Sequence, residues 1–297
     1  RHFATMATHL AGNIAMTTPT ETPRALDDAD EHQLLHHQIN DLRAEREELA
    51  ELIATLPRDI WSCPTTFRDW TVWDVIAHLH LSDHMGMVSL SGETPFRALM
   101  RDMRDARMPM AAYARRWLGA IEGEALRDRW YALLGSLCDG LAATDPATRL
   151  PWAGPSMKPR MFATARQMET WAHGWELWDL TDRVRPATDR LRNVATIGVR
   201  TFGWTFANRG QEAPGAPPKV TLRAPSGAVW TWNEDNSQDH VSGDAVSFCQ
   251  VVTQVRHHAD TALRIEGPVA AAWMAIAQCF AGPPADPPAP GSRVPAH

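Results

Sequence analysis

The sequence predicts an α+β protein in which four long helices, packed as a bundle, precede a smaller α/β layer, and three observations carry that prediction. Apolar residues recur at helical spacing through the first half, and the stretch Met161 to Leu180 has no breaker except Gly174. Beyond about Asp189 the pattern changes to short alternating runs and brief helices. At 297 residues and 44% hydrophobic, the chain can bury a core in each of two units.

The elements follow in chain order. Residues 1–31 read as a disordered extension: Met6 and Met16 are not set in a basic segment followed by a continuous apolar one, so no secretory signal is expected. From Gln33 to Leu56, Leu35, Ile39, Leu42, Leu49, Ile53 and Leu56 recur at spacings of three, four and seven, which makes one face of an amphipathic helix ending before Pro57. A loop through Cys63 and Pro64 leads to Thr71 and Asp74, spaced as a capping box, and to a second helix carrying Val75, Ile76, His78 and Leu79. Ser91 to Leu118 is helix-compatible but irregular. A third helix runs from Gly123 to Leu141 through Leu126, Trp130, Leu134 and Leu137, and the loop Pro151 to Pro155 precedes the fourth.

Charge and Pro186 mark a boundary, giving a helical metal-binding unit at 32–185 and a small α/β unit at 186–282. In the latter, Leu191 to Asn208 reads as helix, and Val220 to Ala224 and Val229 to Trp232 as a hairpin. Asp244 to His257 is helical, Ala262 to Glu266 a strand, and Pro268 opens a last helix ending near Ala281. Residues 283–297 are proline-rich and expected to be disordered.

Bulk properties exclude several function classes. The net charge of −6, with no Lys/Arg stripe, leaves nothing to neutralise a nucleic-acid backbone. No run approaches the ~18 apolar residues of a membrane span. Cys63, Cys138, Cys249 and Cys279 are scattered without a C-x-x-C pair, as expected of reduced thiols in a cytoplasmic protein. The sequence leaves the oligomeric state open and points to a small-molecule substrate as the partner.

One constellation carries chemistry. Glu169 and His173 lie four residues apart and project from one helix face at neighbouring turns, so they can share one ion. Such a pair is also common on any solvated helix, but Trp171, Trp175 and Trp178 around it imply burial on more than one side. His78, at the edge of the buried face of the second helix, completes a three-ligand set from across the bundle. His80 and His84 form a rival pair that reads better as polar residues lining the bundle end. Adjacent histidines at His36–His37 and His257–His258 diverge by about 100° on a helix and do not chelate easily. Glu176 continues the face of Glu169 and His173; it can orient a ligand histidine, act as acid or base, or be solvated.

Trp70 to Leu79, reading Trp-Thr-Val-Trp-Asp-Val-Ile-Ala-His-Leu, and Ala165 to Gly174, with Glu169 and His173, resemble the two signatures of the DinB and mycothiol-dependent maleylpyruvate isomerase superfamily. Val241 to Arg256 and Leu263 to Gly267 are similar to its smaller, sterol-carrier-protein-like domain, and the resemblance spans about Leu34 to Gly282. It implies a DinB-like four-helix bundle and one divalent ion, usually Zn2+, on His78, Glu169 and His173, with open positions for water or a thiol. The activity implied is isomerisation or S-transfer through a low-molecular-weight thiol, mycothiol, on a small conjugated or carboxylate substrate, with Arg256 as a catalytic residue beside Glu176, which its place on the helix face already offered for that part. Arg256 falls where the family places an arginine facing a substrate carboxylate, although an arginine near a helix C-terminus also suits the helix dipole. Mycothiol implies an actinobacterial source, in keeping with lysine occurring only at Lys158 and Lys219. The long middle segment Ser91 to Ile121 and the cluster His84, Met85 and Met87 depart from the family pattern and speak against maleylpyruvate isomerase activity itself. The alternatives are a thiol-independent Lewis-acid enzyme of natural-product biosynthesis and a ligand-binding protein with a structural metal.

Overall fold

Helix α1, Pro23–Ala54, runs nine turns along the first unit, and its stripe of Leu35, Ile39, Leu42, Leu49 and Ile53 is buried. The structure is a computed structural model that describes residues 23–181 and 183–293. The expected disorder of residues 1–31 therefore falls mostly outside the described residues, while the helix is already formed at Pro23, ahead of the predicted start.

Three further long helices complete a bundle: α2, Val72–Leu90, then α5, Gly123–Ala142, and α6, Pro159–Trp178. Helices α2 and α1 each pack against both α5 and α6, and Leu79, Trp130, Leu137 and Phe162 meet in the centre, all fully buried. The irregular middle segment resolves into two shorter helices, α3, Glu93–Asp105, and α4, Met110–Leu118, laid against α2. Each buries only a narrow strip, Phe96 in one and Tyr113 with Ala114 in the other.

The segment after α6 is strapped to α1. The fully buried Arg185 donates to Glu45, Glu48 and the Trp171 carbonyl at 2.7–3.0 Å, and Arg190 pairs with the same two carboxylates. Gly174 makes room for this strap, since a Cβ there would sit 3.2 Å from Arg185 Nη2.

The remaining residues form a small mixed sheet with helices on one face. The predicted helix from Leu191 is two helices, α7, Leu191–Arg200, and α8, Phe202–Ala207, broken at Thr201. Strands β1, Lys219–Arg223, and β2, Val229–Trp232, form the expected antiparallel hairpin. A third strand that the sequence did not signal, β3, His240–Asp244, lies parallel to β1, and β4, Arg264–Glu266, is antiparallel to β3, giving the order β2-β1-β3-β4. Val220, Leu222, Trp230 and Val241 on one face are covered by α7, α9, Ala245–Val252, and α10, Pro268–Met274. Gly267 needs to be glycine: its φ is +91° and a Cβ would meet Asp239 Oδ1 at 2.3 Å, the atom that accepts the first N–H groups of α10.

Two expectations are corrected. The helix predicted over Asp244 to His257 stops at Val252, because Gln254 turns left-handed at φ 58° and spends its amide on the carbonyls of Ala277 and Ala285. Arg256 is consequently outside the helix and not its dipole partner. The proline-rich tail is ordered as far as Arg293: Gln278 accepts from Ala285 N, Arg209 pairs with Asp286, and Asp260 accepts from Gly291 N. Composition registers its prolines but not these distant partners. Residues 294–297 lie outside the described residues. Among the described residues, no helix is long and apolar enough to cross a membrane.

Candidate metal centre

The centre begins with a helix cap. Thr71 accepts from Asp74 N and the Asp74 carboxylate accepts from Thr71 N, so α2 starts at the residue the capping box specifies. Arg115 of α4 adds two contacts to Asp74 at 2.6 and 2.7 Å. Burial raises the Asp74 carboxyl, but the hydrogen bonds from Arg115 and Thr71 outweigh it and hold the group below its usual value. The cap fixes the register that turns His78 toward α6.

Across the interface, Glu169 and His173 present themselves at neighbouring turns of α6. Glu169 Oε2 lies 3.5 Å from His78 Nε2 and 3.5 Å from His173 Nε2, and ligand atoms of the three residues all fall within 4.8 Å of one another. A tetrahedral ion with bonds of ~2.0–2.1 Å separates its ligand atoms by about 3.3 Å, so the spacing suits one small cation. His78 supplies the test of fit: both of its ring nitrogens are buried and neither has a hydrogen-bond partner. An orphaned imidazole in a bundle core costs stability unless something ligates it.

The electrostatics agree. Burial, reinforced by His173, pushes the His78 imidazole down to about 4, so it is a neutral donor at pH 7. Burial also opposes charge on His173, but the Glu176 and Glu169 carboxylates override it and push that imidazole up to about 9. Burial likewise raises Glu169, yet the two imidazoles, each 3.5 Å from its Oε2, hold its carboxyl well below the carboxylate range.

Around this trio are residues that the sequence marked only in part. Glu176, buried, accepts at 3.1 Å from His173 Nδ1, leaving Nε2 facing Glu169. That is the arrangement in which a carboxylate fixes a ligand histidine's tautomer and basicity. Behind α2 and α6, the buried Asp83 receives Arg166 Nε at 2.8 Å and Trp130 Nε1 at 3.1 Å. Above the histidines, Trp70 stacks on His173 with 5.9 Å between centroids, and Phe67 meets the same ring edge-on at 5.3 Å. The turn that delivers both aromatics holds Arg68 and Asp69 at φ 51° and 58°, a left-handed pair costing about 1–2 kcal/mol per residue. Such strain is kept where the surrounding structure enforces it, here through Thr65 N to Trp70 O at 2.7 Å.

The other candidates lie elsewhere. His80 and His84 face Trp117 of α4, at 5.4 and 4.8 Å between centroids, away from Glu169. His36 and His37 are exposed, His257 and His258 lie against each other, and His297 is outside the described residues. Met85 is buried and Met87 packs against the bundle core. Arg256 is closed off: Asp179, at the end of α6, takes its Nη1 and Nη2 at 2.9 and 2.5 Å, fastening the smaller unit to the bundle. All four cysteines are free, and burial pushes the thiols of Cys138, Cys249 and Cys279 up, that of Cys138 to about 12, which makes these three poor nucleophiles.

Residues 42–178 match the family described as the mycothiol maleylpyruvate isomerase N-terminal domain. Two Mycobacterium tuberculosis proteins, Uncharacterized protein Rv0036c of strain H37Rv and Uncharacterized protein MT0041 of strain CDC 1551, are each 38% identical to this chain over 246 residues. The alignments cover 83% of this chain and 96% of each relative. A crystal structure of mycothiol-dependent maleylpyruvate isomerase aligns with a TM-score of 0.49 at 16% identity, covering 73% of this chain and 88% of that one.

Proposed function

Since this chain belongs to the DinB and mycothiol-dependent maleylpyruvate isomerase-like superfamily, we propose that it is a divalent-metal enzyme activating a low-molecular-weight thiol for isomerisation or S-transfer on a small conjugated or carboxylate substrate. The observation that carries this reading is His78, whose two ring nitrogens are buried without a hydrogen bond, facing Glu169 and His173 across the bundle. Those three residues would hold the ion, Zn2+ being the best match to a donor set of two imidazoles and a carboxylate. When bound there, a divalent ion lowers the pKa of a coordinated thiol, and three protein ligands leave it positions to do so.

The rest of the chemistry belongs to the chain. Glu176 keeps His173 Nδ1 protonated and its Nε2 turned inward. Phe67 and Trp70 shield the histidines from water and offer flat apolar surface to a conjugated substrate. Arg256 works as a positioning residue through Asp179, setting the smaller unit against the end of α6.

The test combines metal content by plasma mass spectrometry with turnover of conjugated acids in the presence of mycothiol. One ion per chain, thiol-dependent turnover and loss of both in His78→Ala are expected. A stoichiometric metal with no thiol effect on any conjugated substrate refutes the thiol reading and favours Lewis-acid chemistry.

A further inference from the structure

Beyond the candidate metal centre, α2 and α6 are tied together a second time. Asp83 stands five residues after His78 on α2, and Arg166 stands three before Glu169 and seven before His173 on α6. At the helical rise, the tie lies about 7.5 Å along α2 from His78 and about 4.5 Å along α6 from Glu169. Arg166 Nε donates to Asp83 Oδ1 at 2.8 Å, and both side chains are buried. Trp130 of α5 donates to the other oxygen of Asp83 at 3.1 Å, so the carboxylate is held from two helices and fixed in rotation. Three residues further along α2, Gly86 admits the Phe162 ring of α6, which a Cβ would meet at 3.3 Å.

As a source of stability the pair is poor. Two charges taken out of water are repaid only when their remaining donors are satisfied as well, and Arg166 Nη2 is buried without an acceptor. What a bond between two fixed groups on different helices does supply is register. The metal centre needs it. Its three donors come from both helices, with ligand atoms within 4.8 Å of one another, yet His78 makes no hydrogen bond that would hold it against α6.

We infer that Asp83 and Arg166 are a positioning pair, holding α2 and α6 at the separation that keeps His78, Glu169 and His173 assembled before an ion arrives. This rests on the proposed function for the ion, but not for the assembly of the three side chains.

Asp83→Asn combined with Arg166→Met removes both charges and the bond between α2 and α6 while leaving Trp130 an acceptor. With no charge left buried alone, the double variant should unfold in urea close to the wild-type midpoint. In the metal-free protein the His78 and His173 rings, 4.5 Å apart between centroids, should give a nuclear Overhauser contact in wild type and lose it in the double variant. Zinc affinity, read by chelator competition, should fall by about 10- to 100-fold, the effect expected of partners that orient the ligands. Leu126→Ala, which opens a cavity in α5, is the control: it should lower the midpoint and leave ring contact and affinity as in wild type. A ring contact unchanged in the double variant overturns the inference, and so does its equal loss in Leu126→Ala. If the double variant does not fold, Asp83→Glu decides, since it keeps both charges and lengthens the tie by one methylene: a weakened ring contact supports the positioning role, and an unchanged one refutes it. Wild type that takes up no zinc refutes the metal reading alone, because the ring contact still upholds or overturns the pair.

Discussion

Glu176→Gln separates the charge of the carboxylate behind His173 from its shape. The glutamine carbonyl can still accept from His173 Nδ1 over the 3.1 Å seen for Glu176, so the ring stays in place and only the negative charge is lost. Removing such a partner from a ligand histidine weakens metal binding by about 10- to 100-fold, or about 1.4–2.7 kcal/mol. A second effect opposes it at neutral pH. The same carboxylate helps raise the His173 imidazole to about 9, so in the metal-free wild type a proton occupies the ligand and has to be displaced. Glu176→Gln loosens that proton as well as the ion. The deficit should therefore be small at pH 7 and approach its full size near pH 9, where proton competition fades. Competition against a fluorescent zinc chelator at the two pH values reads this directly. An affinity unchanged at both, or a deficit that shrinks as pH rises, refutes the role given to Glu176.

Other outcomes follow from the same geometry. At pH 7 His173 is protonated and His78, at about 4, is not, so zinc binding should release about one proton; calorimetry in buffers of different ionisation enthalpy should give a slope near one, and a slope near zero contradicts the assignment. Asp83→Asn leaves Arg166 charged and fully buried without its counter-ion, predicting a loss of about 3–5 kcal/mol in urea unfolding, whereas replacing both by apolar residues should cost far less. Asp74 is held below its usual pKa, so its stabilisation is complete above the unfolded-state value and disappears as pH falls through the folded-state one. Asp74→Asn should cost about 1 kcal/mol at pH 7 and progressively less in acid, as followed by thermal unfolding against pH; a penalty constant with pH refutes the charge argument.

What the sequence disclosed and what it withheld divide along range of interaction. The cap at Thr71 and Asp74, the stripe of α1 and the β1–β2 hairpin depend on neighbours a few residues apart, and all were legible. β3 was not, because His240-Val-Ser-Gly-Asp244 buries one apolar side chain and is a strand only by virtue of β1 beside it. The candidate metal trio was half legible: spacing brought Glu169 to His173, but nothing in the spacing required burial, and His78 came from the resemblance and from helix register. The place of Phe67 beside His173 was hidden, because the turn that delivers it runs through Arg68 and Asp69 at positive φ with no glycine to mark it.

A linear reading offers Arg256 to a substrate carboxylate, and the structure spends it on another one. An arginine can grip a ligand only with unspent donors, and Asp179, at the end of α6, already takes Nη1 and Nη2 of Arg256 at 2.9 and 2.5 Å. Both side chains are buried, so the pair joins the smaller unit to the bundle. Asp179→Asn leaves the Arg256 charge buried without its counter-ion and should cost about 3–5 kcal/mol in urea unfolding; a midpoint that does not move refutes the joining role.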